Sequence, residues 1–193
     1  MLEIILKKEG LKFFTTLIVV SVFIFTNSYA QRAPLGADDI MKEALQQASK
    51  ENKKVFIIFH ASWCGWCHKM DSSMNDKTCK NFFEDNFVIR HLDVDEYKED
   101  KKALQNPGAN ELRTKYHGDS VGIPFWFILD KDGKLLADSK IRSDGADFDA
   151  AGDNVGCPSE EKEVVYFIKI LKATTALTPQ QEDAIAKRFS KNK

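Results

Sequence analysis

The chain contains no long run of charge of one sign. Its 28 Lys plus Arg are balanced by 29 Asp plus Glu, a formal net of −1. Phosphate binding needs a concentrated cationic face, so this balance argues against a nucleic-acid partner. The charged clusters at residues 98–102 and 144–153 read instead as solvated loops or helix faces. No internal repeat is visible. A stable membrane-crossing helix needs ~20 apolar residues, and the apolar stretch from Phe13 to Phe25 spans only thirteen. What is present is a composition 43% hydrophobic, 11% aromatic and 30% charged. That is the mixture of a soluble globular protein and not of a disordered or collagen-like one. At 193 residues the chain is long enough for one domain with a real core and too short for two ordinary ones.

The first thirty residues differ from the rest. Lys7, Lys8 and Lys12 flank the apolar stretch, and Ser28-Tyr29-Ala30 give a small-x-small pattern ahead of Gln31, the three parts of a secretory signal peptide. The expectation is a signal peptide over residues 1–30, cleaved after Ala30, and an exported domain over residues 31–193, periplasmic or secreted. Retention as an uncleaved anchor is the alternative, and the one membrane association foreseen. No Cys lies next to the cleavage point, which argues against a lipoprotein. Export bears on the four cysteines, Cys64, Cys67, Cys79 and Cys157, because thiols outside the cytoplasm tend to be oxidised. Four cysteines allow three pairings, and spacing alone does not choose among them.

From Asp38 the pattern turns helical. Ile40, Met41, Ala44, Leu45 and Ala48 recur at three- and four-residue spacing, with Asp38 or Asp39 to cap the first turn, which predicts a helix over residues 38–50. Val55-Phe56-Ile57-Ile58-Phe59 is a continuous apolar run too short for a helix, hence a central strand buried on both faces. Trp63-Cys64-Gly65-Trp66-Cys67-His68-Lys69-Met70 then opens a helix, so the Cys pair sits where a strand feeds a helix N-terminus. A short helical piece is expected over residues 78–85, a strand over 87–94, a polar excursion over 95–108 and a helix over 109–116. Residues 123–129 read as a strand with Pro124 near its start. Asp130-Lys131-Asp132-Gly133 is a turn leading into an antiparallel return over 134–138. Residues 141–158 form a long Asp/Gly-rich connection. Ser159 is placed to cap a helix carrying Val164, Val165, Phe167, Ile168 and Leu171 on one side. A last helix begins at Thr178, with Pro179 at its first position and Gln181 completing a capping box.

A thiol is a useful nucleophile only as thiolate, and an ordinary Cys is mostly protonated at neutral pH. In the first turn of a helix, unpaired N–H groups and the positive end of the macrodipole stabilise the anion. Cys64 is in that position. Cys67, one turn on, is close enough to bridge to Cys64 and to release a captured partner. Cys64 is therefore the candidate nucleophile and Cys67 the resolving thiol.

Taken in order, the strand at 55–59, the segment Ala61-Ser62-Trp63-Cys64-Gly65-Trp66-Cys67, the Gly122-Ile123-Pro124 step and the hairpin at 130–133 resemble the thioredoxin family, over about residues 38–174. Within it the chain is most similar to exported thioredoxin-like proteins and to the C-terminal domain of the membrane disulfide-interchange reductase. The resemblance implies an α/β thioredoxin fold, a central mixed β-sheet flanked by helices, here with an extra C-terminal helix. It further implies a thiol:disulfide oxidoreductase acting on protein thiols and disulfides as a monomer, with no cofactor and with a redox partner that regenerates the pair. It implies a cis Pro124 beside the cysteines, an Ile123 backbone that pairs with extended substrate, and Trp63 as a wall of the site; Trp66 joins the substrate-binding set. Two departures matter. The family's buried acid falls at Ile58 and its partner lysine at His91, so deprotonation of Cys67 must rely on another group, with His91 and the more distant Glu51 as candidates. The residue after the proline, usually Thr, is Phe125. The intervening dipeptide is Gly65-Trp66 and not Gly-Pro, and because that dipeptide influences redox potential, the direction of transfer does not carry over.

Other readings compete. A zinc site needs four ligands, and His60, His68, Cys79 and Cys157 show no second paired spacing, so no metal is expected. Cys64-Gly65-Trp66-Cys67-His68 matches the c-type haem attachment pattern, with His68 and Met70 or Met74 as axial ligands, but it follows a buried strand in an α/β pattern. Cys79 and Cys157 are either a second, structural disulfide or two thiols without a role. A non-enzymatic alternative is a peptide-binding or chaperone module gripping chains in a groove around Trp63, Trp66 and Phe125.

Overall fold

Val55, Ile57 and Phe59 point to one side of strand β1 (Lys54–His60) and Phe56 and Ile58 to the other, and all five are fully buried. A strand apolar on both faces needs a helical layer on each side, and the computed structural model, which describes residues 33–192, supplies both. The signal-peptide expectation lies outside the described residues. On one face, helix α1 (Ala37–Glu51) packs Ile40, Met41, Ala44 and Ala48 against Val55, Ile57 and Phe59. On the other, helices α2 (Gly65–Met74) and α3 (Lys80–Asn86) bring Met70, Met74, Phe82 and Phe83 against Phe56 and Ile58.

Strand β2 (Phe87–Asp93) pairs parallel to β1, helix α4 (Ala109–Lys115) follows, and β3 (Phe125–Leu129) returns antiparallel on the other edge of β1. Strand β4 (Leu135–Asp138) completes the hairpin, giving a four-stranded mixed sheet in the order β2-β1-β3-β4. Helices α5 (Glu161–Thr174) and α6 (Pro179–Phe189) close the second face with Phe167, Leu171, Ile185 and Phe189. This is the mixed sheet flanked by helices, with an extra C-terminal helix, that the sequence implies.

Three local expectations need correction. Helix α1 is capped by Gly36 and not by Asp38 or Asp39; those two lie in the first turn, where their charge complements the helix dipole. Helix α5 is capped by Glu160 and not by Ser159, because the Ser159 N–H and hydroxyl both donate to the Glu163 carboxylate (3.0 and 3.2 Å), which also closes the capping box. The connection after β4 is not featureless. Lys140–Ile141 and Asp153–Asn154 form a small antiparallel ladder, β5 and β6, and the segment folds back as a strap over the edge of the sheet.

Candidate active site

Cys64 is the N-cap of α2, held there by a turn in which its N–H donates to the Ala61 carbonyl (3.0 Å). Cys64 and Cys67 are joined by a disulfide, with 5.2 Å between their Cα atoms. The Cys67 N–H donates to the Cys64 Sγ (3.1 Å), so an opening-turn amide of the helix is aimed at the sulfur where a thiolate would form. Across from it the Ile123–Pro124 peptide is cis, and the Ile123 carbonyl oxygen lies 3.7 Å from the Cys64 Sγ. Ile123 packs on Ala61, Cys64 and Cys67 in a small apolar cluster of their own. Trp63 and Trp66 flank the pair and are 45% and 46% exposed. The Trp63 indole N–H donates to the Asp95 carbonyl (2.8 Å) and its ring meets Tyr97. The Lys69 Nζ sits 4.1 Å from the centre of the Trp66 ring. The structure thus brings together Trp63, Cys64, Trp66, Cys67, Ile123 and Pro124.

Other candidates are placed elsewhere. Cys79 and Cys157 are free thiols, both buried, so the second disulfide is not formed. Each faces its own partners: the Cys79 Sγ contacts the Thr78 hydroxyl (3.5 Å), while the Cys157 Sγ accepts from the Asn192 amide (3.3 Å). Burial pushes the Cys157 thiol up to about 12, and raises Cys79 as well. Glu51 ends α1 on the sheet face opposite α2 and is paired with Lys53 (2.6 Å) and Gln47 (2.8 Å), which lower its pKa, so it does not serve Cys67. His91 is better placed: its Nε2–H donates to Asp71 (2.7 Å), four residues after Cys67 on α2, and its ring lies against His60. The haem pattern is not used as such. Both cysteines are in the disulfide, His68 Nε2–H donates to the Ser62 carbonyl (3.0 Å), and Met70 and Met74 are core residues. Phe125 is fully buried against Phe59, so it lines no open groove. Among the described residues no cluster of three or more His, Cys, Asp or Glu could hold a metal ion.

Two residues escaped the sequence reading. Asn154, in the strap, donates from its amide to the carbonyls of Gly122 (2.7 Å) and Pro124 (3.2 Å), while its oxygen accepts from the Ser139 hydroxyl (2.6 Å). It ties the strap to the segment carrying the cis-proline, and a lone Asn in an Asp/Gly-rich stretch gives no sign of this. Glu96, in the polar excursion, is buried and accepts from both the N–H and the hydroxyl of Ser62, two residues before Cys64.

A four-stranded mixed sheet whose central strand delivers a Cys-x-x-Cys disulfide to a helix N-terminus, with a cis-proline facing it, defines a thioredoxin-fold dithiol protein. The thioredoxin-like family matches residues 38–131, and the chain carries a thioredoxin-like domain with a Cys64–Cys67 redox-type pair. No curated protein matches the chain. Among solved structures it is similar to a disulphide isomerase from Xylella fastidiosa Temecula1 (24% identity, 59% of this chain and 79% of that one, TM-score 0.44). It is also similar to DsbH oxidoreductase (21%, 78% and 92%, TM-score 0.42). A third similar structure is the C-terminal domain of DsbD from Neisseria meningitidis in its oxidised form (23%, 55% and 84%, TM-score 0.37).

Proposed function

We propose that the protein is a thiol:disulfide oxidoreductase that exchanges dithiol and disulfide with protein substrates in an extracytoplasmic compartment. The observation that carries this reading is the placement of the Cys64 sulfur at the opening turn of α2, under the Cys67 N–H and opposite the cis-proline.

In the reducing direction, the Cys64 thiolate attacks one sulfur of a substrate disulfide. A Cys64–substrate S–S bond forms, the substrate's own S–S bond breaks, and the departing substrate sulfur leaves as a thiolate that takes up a proton. Cys67 then loses its proton and attacks the Cys64 Sγ. The Cys64–Cys67 bond forms, the mixed disulfide breaks, and the second substrate thiol is released with two electrons gained by the substrate. Run backwards, the same steps oxidise a substrate dithiol, and neither direction needs a cofactor. Trp63 and Trp66 offer half-exposed aromatic walls, and the Ile123-Pro124 backbone offers an edge for an extended substrate segment. A separate redox partner returns the pair to its starting state. The export reading rests on the charge and apolar pattern of residues 1–30, and it predicts an N-terminus at Gln31 in protein recovered from the extracytoplasmic fraction.

The test is capture. Cys67→Ser should accumulate mixed disulfides with substrate proteins, visible as reductant-sensitive adducts, and Cys64→Ser should accumulate none. If the Cys64→Ser, Cys67→Ser double variant keeps full function, a non-enzymatic binding module replaces this reading. The reduction potential of the couple sets the direction, with about −270 mV marking a reductant and about −120 mV an oxidant.

A further inference from the structure

Ser62 is gripped from two sides. Its N–H donates to Glu96 Oε1 (2.5 Å) and its hydroxyl to Glu96 Oε2 (2.9 Å), while its carbonyl accepts from His68 Nε2–H (3.0 Å). Glu96 is 4% exposed. Both of its oxygens take neutral donors from a single residue, a pattern that suits an ionised, acceptor-only carboxylate. The neighbouring charges are engaged elsewhere. Arg113 is bidentate on Asp95 (2.6 and 3.3 Å), and His60 faces Asp93 (3.2 Å). The Glu96 backbone N–H donates to the Gln105 side chain (3.1 Å), which fixes the residue from behind.

Ser62 precedes Cys64 by two residues, and the chain between them is folded by the Ala61–Cys64 turn. Two peptide units span at most about 7 Å; with about 4 Å from the carboxylate to the Ser62 Cα and about 3 Å from the Cys64 Cα to its sulfur, the carboxylate stands no more than about 14 Å from that sulfur, a distance comparable to the screening length of about 10 Å in 0.1 M salt. Because it is buried, it is screened less than a surface charge.

Resting on the oxidoreductase reading, we propose that Glu96, docked on Ser62, sets the reduction potential of the Cys64–Cys67 couple through its charge: the buried carboxylate disfavours the Cys64 thiolate and so shifts the pair toward the disulfide. The helix terminus pulls one way and Glu96 the other. Nothing is transferred to or from Glu96; in each cycle two electrons still pass between the substrate and the cysteine pair.

The experiment is redox equilibration of the purified protein with glutathione at pH 7, with the pH midpoint of Cys64 alkylation as a second readout. Two unit charges about 12 Å apart at an effective dielectric of about 20 interact strongly enough to change an equilibrium constant about tenfold. Glu96→Gln keeps the shape and removes the charge. It should lower the equilibrium constant for disulfide formation about tenfold, a rise of about 30 mV in potential, and move the alkylation midpoint to lower pH. Ser62→Ala removes one hydrogen bond and leaves the charge, and should stay within about twofold of the unmodified protein; Glu96→Ala, which also removes the charge and should shift the constant in the same direction as Glu96→Gln, serves where Glu96→Gln fails to fold. The inference is overturned if Glu96→Gln folds and stays within twofold, or if Ser62→Ala shifts the constant as far as Glu96→Gln, since hydrogen-bond geometry and not charge would then be responsible. If the unmodified pair does not equilibrate with glutathione at all, the oxidoreductase reading itself falls and takes this inference with it.

Discussion

The strap that follows β4 is held by one buried ion pair, and its removal gives a sharp stability prediction. The Asp138 and Arg142 side chains are 1% and 7% exposed. The guanidinium is bidentate on Asp138, Nη1 to Oδ1 at 2.7 Å and Nη2 to Oδ2 at 2.6 Å. Its remaining donors reach the carbonyls of Ala150 (3.0 Å), Phe148 (2.7 Å) and Lys140 (3.1 Å), so one side chain ties the first residues of the strap to its middle. Arg142→Met fills similar volume but leaves the Asp138 carboxylate buried and without its cation. Breaking a buried pair from one side costs about 3–5 kcal/mol, a large share of the ~5–15 kcal/mol that holds a domain together. For a domain of this size that corresponds to a fall of roughly 6–20 °C in the melting midpoint. The double change Asp138→Asn, Arg142→Met strands no charge and should recover about half of the loss or more, although the Lys140 N–H also donates to Asp138 (2.8 Å) and limits the recovery. Urea unfolding at 25 °C with an unchanged slope is the measurement. A loss below about 1 kcal/mol for Arg142→Met, or a double variant no more stable than the single one, would refute the reasoning.

Two further outcomes follow from the same structure. Burial holds both the Cys157 thiol and the Tyr166 phenol at about 12, above their ordinary values of 9.0 and 10.0, so the folded form keeps protons that the unfolded chain releases. Stability should therefore be level up to about pH 9 and then fall by up to about 1.4 kcal/mol per pH unit for each group, a fall that urea midpoints at pH 8 and pH 10.5 would detect and whose absence would contradict these assignments. Asn154→Ala strips the Gly122 and Pro124 carbonyls of their shared donor. It should cost about 1–2 kcal/mol of stability and slow catalysed disulfide reduction about tenfold, and an unchanged rate would show that the strap does not help to hold the cis-proline segment.

The parts of the site that were legible in the sequence are those fixed by neighbours in the chain. The run from Val55 to Phe59 identifies a strand buried on both faces because no other short element hides five consecutive apolar side chains. Cys64 and Cys67 read as one turn of a helix because their spacing and the preceding strand are enough to place them. Thr178, Pro179 and Gln181 mark the start of α6 through contacts made entirely within four residues, with the Gln181 N–H donating to the Thr178 hydroxyl (3.3 Å). What was hidden depends on partners far away in sequence. Asn154 reaches back more than thirty residues to Gly122, and Glu96 reaches back thirty-four to Ser62. The two-residue strands at Lys140–Ile141 and Asp153–Asn154 carry no apolar alternation, since a buried ion pair and an amide side chain hold them. Spacing left Cys79 and Cys157 open between a bridge and two free thiols for the related reason that burial near one apolar core does not by itself bring two thiols to bonding distance.

The distinction between local and distant contacts bears on how the potential of such a pair can be set. A helix N-terminus and the amide of Cys67 act on the Cys64 sulfur wherever a Cys-x-x-Cys opens a helix, so these contributions are built into the motif. They favour the thiolate in every such protein and cannot by themselves separate a reductant from an oxidant. Discrimination comes from the dipeptide between the cysteines and from charges that the motif does not contain. In this chain those charges sit on the segment after β2, with Glu96 under Ser62 and the Asp95 carboxylate on Arg113, and on α2 and the end of β2, where Asp71 and Asp93 engage His91 and His60. Asp71 and Asp93 each face a histidine, whereas Glu96 accepts from the uncharged N–H and hydroxyl of Ser62, two residues before Cys64. A substitution on the motif, such as Trp66→Pro, changes the geometry and the field together, whereas Glu96→Gln removes a charge and reverses only the hydrogen bond with the Ser62 hydroxyl.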